Sequence, residues 1–503
     1  MASKLVATPV DDRITGGSRI RVLGRYAVEE ASLMTERMNK PVALLASLGA
    51  LALLGLAASA TTFLSGEEPT TIETPVITAA PSSVTLACPP GIIDPFASTP
   101  ATTTAGHIWS TLAPTDGDEL ARSITASGAP NEEISVPTGV VITGQGGGEL
   151  LGLSATGCSL PSGDQWILTG STYAGNDVVL ALANPSATPA TVSVTGYGPI
   201  GLLDDAPHTL TVPAGKTITV VPSGWYPDEE RIALHIESDS AGISAWAQTS
   251  RLDGEIPAGA TWSASTKPAT QVVFAGLGGE TASLLRIGVP GEDPASIQVT
   301  LIGEDGSKVV EGTELEIDAQ TVLDIPLTGI ASTASGIMVT SDAPVVSAIE
   351  QSWDGGKWAQ TDQTWTILSS IATANALSKA DVPGLTTLSD LVTKELSATP
   401  LRATSLESNS GVSDVNAQMV LVNPLTDASS DATVSVAGRE VQVPAGTSTV
   451  VDLPRDDGKV TSDQQIYASI VVSATTPNGV VHATWNVGTG GLATQQARVH
   501  VGP

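Results

Sequence analysis

The sequence predicts an all-β protein: tandem immunoglobulin-like antiparallel β-sandwich modules that follow a single N-terminal transmembrane helix. Three observations predict it. One phrase (alternating strand, Asn-Pro-like corner, second strand, Val-Pro-Ala-Gly-like turn) is written three times. The 50 Gly and 33 Pro are spread along all 503 residues, between runs rich in Val, Thr and Ala. Such spacing of turn formers marks many short strands. Finally, one uncharged apolar run precedes every copy of the phrase.

That run, Pro41–Leu64, is 24 residues of mostly Leu and Ala, flanked by Arg37 and Lys40 before and Glu67 and Glu68 after. Its length spans a hydrocarbon core of roughly 30 Å with some tilt. Positive-inside logic puts residues 1–40 in the cytoplasm as a disordered basic tail and residues 65–503 outside. The competing reading is a cleaved signal peptide, cut near Ala60, with translation starting at Met38. A 40-residue lead is long for an n-region, which favours an uncleaved signal anchor. Residues 65–84, rich in Thr, Pro and Glu, read as a hydrated stalk.

Only Cys88 and Cys158 are present, and both fall in the exported part. An even pair in an exported segment predicts a disulfide. Closing that loop would stabilise the fold by ~4 kcal/mol in the chain-entropy model. It would pin residues 89–157 onto the first sandwich, giving a domain at 85–263.

The first copy of the phrase runs through Val178–Pro185, Ala190–Val194 and Leu210–Gly215. Period-two alternation puts Val192 and Val194 inside, with Ser193 and Thr195 outside. Pro ends a ladder it cannot join, and Gly supplies positive φ. A divergent second copy occupies 264–369, with Val289-Pro290 at the corner and Ile317-Asp318-Ala319-Gln320 at the turn. Residues 370–412 read as a connector, in which Leu385, Leu388, Leu391, Val392 and Leu396 follow the spacing of a short amphipathic helix. The third copy, 413–503, repeats Asn423-Pro424 and Val443-Pro444-Ala445-Gly446.

The run Cys158-Ser159-Leu160-Pro161, then Gly163-Asp164-Gln165-Trp166 and Gly170, resembles an uncharacterised family of actinobacterial proteins that share a domain of unknown function. Asn184-Pro185 and Val212-Pro213-Ala214-Gly215 belong to the same likeness, which covers roughly residues 85–503. The resemblance implies a membrane-anchored or secreted protein of the cell envelope and supplies no catalytic residues.

Chemistry-bearing motifs are scarce. The five His are scattered without metal-ligand spacing, and no nucleophile elbow or Walker loop is present. No catalytic, cofactor or metal residue is therefore assigned. Gly144–Gly148 is read as a flexible loop, and the acidic pairs Asp204-Asp205, Glu229-Glu230 and Asp456-Asp457 as solvated turns. A net charge of −30 repels phosphates and makes nucleic acid a poor partner.

Nine Trp stand out against three Phe and five Tyr. Trp225, Trp246, Trp353 and Trp485 are the candidate glycan-stacking residues, because an exposed ring stacks on a sugar's CH face. Trp246, Trp353 and Trp485 fall near the same strand end in each module, and recurrence at one strand position is what core packing predicts, which favours packing over stacking. The function expected is a non-enzymatic, membrane-anchored structural or interaction platform in the cell envelope. A glycan-binding protein is the first alternative and an accessory glycan hydrolase or transferase the second.

Overall fold

The computed structural model describes residues 76–79, 81–96, 101–102, 104–115, 121–128, 134–239, 241–254, 256–278, 282–327, 334–357, 364–398, 411–488 and 495–498. The tail, the apolar run 41–64 and the stalk up to residue 75 lie outside them, so the membrane anchor does too. Among the described residues no helix is long and apolar enough to cross a membrane. Thr78–Ala497 form one compact unit, mostly antiparallel sheet.

Three strand groups follow one pairing scheme. In the first, Asp164–Thr169, Ile232–Ser238, Ala190–Gly198 and His208–Val212 pair in that order. Facing them, Lys216–Val220, Asn176–Asn184, Ser244–Asp253 and Ile256–Ala264 make the second sheet. Between the two lie Ile167, Val178, Leu180, Val192, Val194 and Leu234, all fully buried. The alternation read from the sequence holds, since Ser193 and Thr195 are only half-buried.

In the second group one long strand, Ala334–Lys357, serves both sheets. Its first half pairs with Ala269–Ala275 and Ala295–Gly303, its second half with Ala282–Gly288 and Thr364–Ile371. The third group repeats this with Gly458–Thr476, which pairs with Ala376–Val382 and Ala432–Val436, then with Val415–Val422 and Gly479–Asn486.

Two assignments made from sequence need correction here. Residues 376–382, expected in the connector, form the first strand of the third group. Trp485 lies on that group's last strand, so its counterparts are Trp262 and Trp365, while Trp246 and Trp353 lie on the strand before. Both errors have one cause. Alternation marks a strand but carries no label for its place in the order.

The expected helix is present at Leu385–Leu396, with Leu388, Val392 and Leu396 fully buried. It packs with the core of the third group and with the strand Gly139–Gln145, which pairs with His107–Ser110 and Gly152–Gly157. Residues 144–148 are buried, which corrects their reading as a flexible loop. A Cβ on Gly146 would meet the Leu396 carbonyl oxygen at 2.4 Å, so the bare backbone admits the helix end.

Candidate functional site

The candidate Trp residues are placed mostly inside. Trp246, Trp353 and Trp485 are 0%, 6% and 7% exposed, so none offers an open ring face to a surface glycan. The Trp246 indole N–H donates to the Gly157 carbonyl at 3.4 Å, and Trp353 lies flat on His482 with centroids 3.8 Å apart. Trp246 packs against the disulfide-held segment, and Trp353 and Trp485 belong to the core of the third group. Trp225 is half-buried and stacked on His208 at 4.3 Å. His208 in turn pairs with Asp204 at 2.7 Å, so that acid is engaged rather than simply solvated.

Cys88 and Cys158 form the expected disulfide. The segment it holds touches more than the first group. Ile92, Ile93 and Leu150 pack on Val179, Ala181 and Trp246, whereas Trp109, Val140 and Leu153 join the core of the third group.

Where these surfaces meet, a cleft of about 320 Å³ opens, lined by Trp109, Trp262 and Trp485, by Thr484 and Asn486, and by Cys158 of the disulfide. Its walls come from eight separate stretches, between residue 86 and residue 488. Asp381 is its carboxylate among the described residues. Motif reading missed the cleft because its walls are spread along the chain from residue 86 to residue 488.

Asp457, read as a solvated turn acid, is exposed and in addition holds the start of the helix. Its carboxylate accepts from the Gly384 N–H at 2.8 Å, the Thr387 hydroxyl at 2.7 Å and the Trp109 indole N–H at 2.8 Å. Burial alone would raise its pKa, but these three donors together bring it below the usual carboxylate value. At the other helix end the buried Glu395 accepts from His107 at 2.7 Å and from the Gly144 N–H at 3.3 Å. No group of three or more His, Cys, Asp or Glu able to hold a metal ion occurs among the described residues.

The architecture defines a disulfide-bonded, all-β protein of several packed antiparallel sheets. Residues 112–412 match the model of DUF5719, a family of unknown function, and the chain belongs to that family. The match takes in the first two strand groups and the helix. No curated protein and no solved structure matches the chain.

Proposed function

We propose that this chain is a non-enzymatic, membrane-anchored extracytoplasmic protein of an actinobacterial-type envelope, whose three tandem immunoglobulin-like β-sandwiches act as one interaction platform. The observation that supports this most is the welding of the three strand groups. Between the first and second, Trp166, Leu168, Tyr197 and Ala233 pack on Val322 and Val346. Arg286 of the second group donates to the Thr169 and Gly170 carbonyls of the first while held bidentate by Asp324 at 2.7 and 2.8 Å. Between the second and third, Val273, Ala275 and Ile302 meet Val420 and Val422. A body joined this way presents fixed surfaces, which is what a platform requires, whereas modules with free linkers would present variable ones.

The disulfide supports an oxidising compartment. Burial of Trp246, Trp353 and Trp485 counts against the surface-glycan alternative. The hydrolase alternative needs paired carboxylates across a cleft, and the cleft at the junction offers Asp381.

The test is retention of native envelope fractions on the immobilised, oxidised protein. The reading expects saturable capture of a defined envelope component, unchanged chemically on release and reduced when Arg286→Ala loosens the first seam. Release of a cleaved or transferred product would overturn it, as would capture that a fully reduced and unfolded chain reproduces.

A further inference from the structure

At one end of the first strand group a hairpin holds apolar side chains out in water. Strands Ala190–Gly198 and Gly201–Leu202 pair Tyr197 with Leu202 and Gly198 with Gly201, which leaves a two-residue turn, Pro199-Ile200. Ile200 is 93% exposed, the most exposed large hydrophobic side chain among the described residues, and Leu202 is 48% exposed. The hairpin is firmly held. The Leu203 N–H donates to the Gly196 carbonyl at 2.9 Å, Tyr197 is buried in the first seam, and the Pro199 ring fixes its own φ. Singly exposed apolar residues are ordinary; two on one rigid tip, rimmed by charge, are the pattern of a docking site.

Neighbouring loops supply the rim. The Thr172 hydroxyl donates to the Tyr226 carbonyl at 2.6 Å and its N–H to the Glu229 carbonyl at 2.9 Å. That brings the exposed Tyr173 beside residues 226–230. Glu229 reaches the hairpin, with a carboxylate oxygen 3.3 Å from where a Cβ on Gly198 would stand. Asp204, Asp205, Asp228, Glu229 and Glu230 therefore lie at the same end as the apolar tip. Arg231 is drawn to Glu230 and Asp324, at 3.5 and 3.8 Å, and His208 to Asp204 at 2.7 Å.

Charge selects the occupant. A second copy of this chain, with its net charge of −30, would set carboxylates against carboxylates, and an anionic lipid surface would set phosphates against them. A protein surface with an apolar socket edged by Lys or Arg complements both the tip and its rim. The preformed turn would lose little freedom on entering it.

We propose that the Pro199-Ile200 hairpin anchors a docking surface for an envelope protein that presents an apolar socket edged by Lys or Arg. Ile200 and Leu202 enter the socket, and Asp205, Asp228 and Glu230 face its basic edge. This rests on the platform reading and assigns the place on the platform where a partner sits.

The experiment puts the photo-crosslinker p-benzoylphenylalanine at Ile200 of the full-length chain in native envelope membranes. The control carries it at Val309, an exposed residue of the second strand group. The expected result is an adduct with one envelope protein, absent from the control, on an apolar peptide bordered by Lys or Arg. With that protein purified, Ile200→Ser should weaken binding to the full-length chain by about tenfold or more. Asp205→Asn combined with Asp228→Asn should lower both the affinity and its dependence on salt. Asp228 has a φ of 57°, which Asn accepts, and Ile200 is in water, so neither variant should shift the melting temperature. Adducts with lipid, with a second copy of the chain, or with nothing beyond the control would overturn the proposal. Binding of the partner within twofold in Ile200→Ser would overturn it too. Saturable capture of an envelope component that Ile200→Ser leaves intact would remove the hairpin and keep the platform. No saturable capture by the unaltered chain would remove the platform itself.

Discussion

The Asn-Pro corners show why single residues were repeated so faithfully. Asn184 is fully buried, donates to the Thr188 and Val212 carbonyls at 2.8 and 3.1 Å, and accepts from the Ser186 N–H and hydroxyl. Asn423 does the same for Ser430, Val443 and Leu425. One amide thus satisfies several backbone groups where a strand turns over the sandwich end. Asn423→Ala should cost about 2–3 kcal/mol in a denaturant titration, because the carbonyls stay buried when their donor goes. At the following turn Gly215 and Gly446 have φ of 65° and 71°, and Gln320 takes 58° in the divergent copy. A side chain disfavours that backbone region, so Gly446→Ala should lose about 1 kcal/mol in the same measurement. His482, flat against Trp353, has its pKa lowered by burial to about 4. Its neutral form is the one the fold accepts. The contribution is complete above the unfolded value near 6.5 and is lost as pH falls towards 4, levelling below that. The loss should be about 2–3 kcal/mol, and His482→Phe, which keeps the stack, should flatten that part of the stability–pH curve.

At the scale of elements, much of the fold was legible because its signals are local. Alternation over Ala190–Gly198 and helical spacing over Leu385–Leu396 each state which face is buried. Strand order is a long-range property, which is why Ala376–Val382 read as connector and Trp485 was matched with the wrong partners. The cleft was illegible for the same reason, and so were the seams. Arg286 alternates with Leu285 and Ile287 like any wet-face residue, yet a neighbouring strand group covers it. The helix makes its own prediction. Asp457 gathers the Gly384 N–H, the Thr387 hydroxyl and the Trp109 indole on one exposed carboxylate at the helix start. Asp457→Ala should destabilise the protein by about 1–3 kcal/mol and raise hydrogen exchange in 385–396 before it does so in the first strand group.

For the whole molecule, three similar groups have become one body because apolar side chains, and the Arg286 guanidinium at the first seam, fill the faces where they meet. Arg286→Ala removes a charge that Asp324 and two carbonyls were sharing, so it should cost about 2–3 kcal/mol, with Arg231, 3.8 Å from Asp324, left as that carboxylate's remaining partner. Reducing Cys88–Cys158 should cost about 2–4 kcal/mol and loosen the segment that walls the cleft, seen as faster exchange over 83–87 and 152–157. The central claim is that the seams make the three groups fold and act as one unit. Differential scanning calorimetry of the oxidised protein tests it most directly. A single transition whose calorimetric and van't Hoff enthalpies agree for the mass of Thr78–Ala497 is the predicted result. Separate transitions, each of single-sandwich size and unmoved by Arg286→Ala, would contradict it.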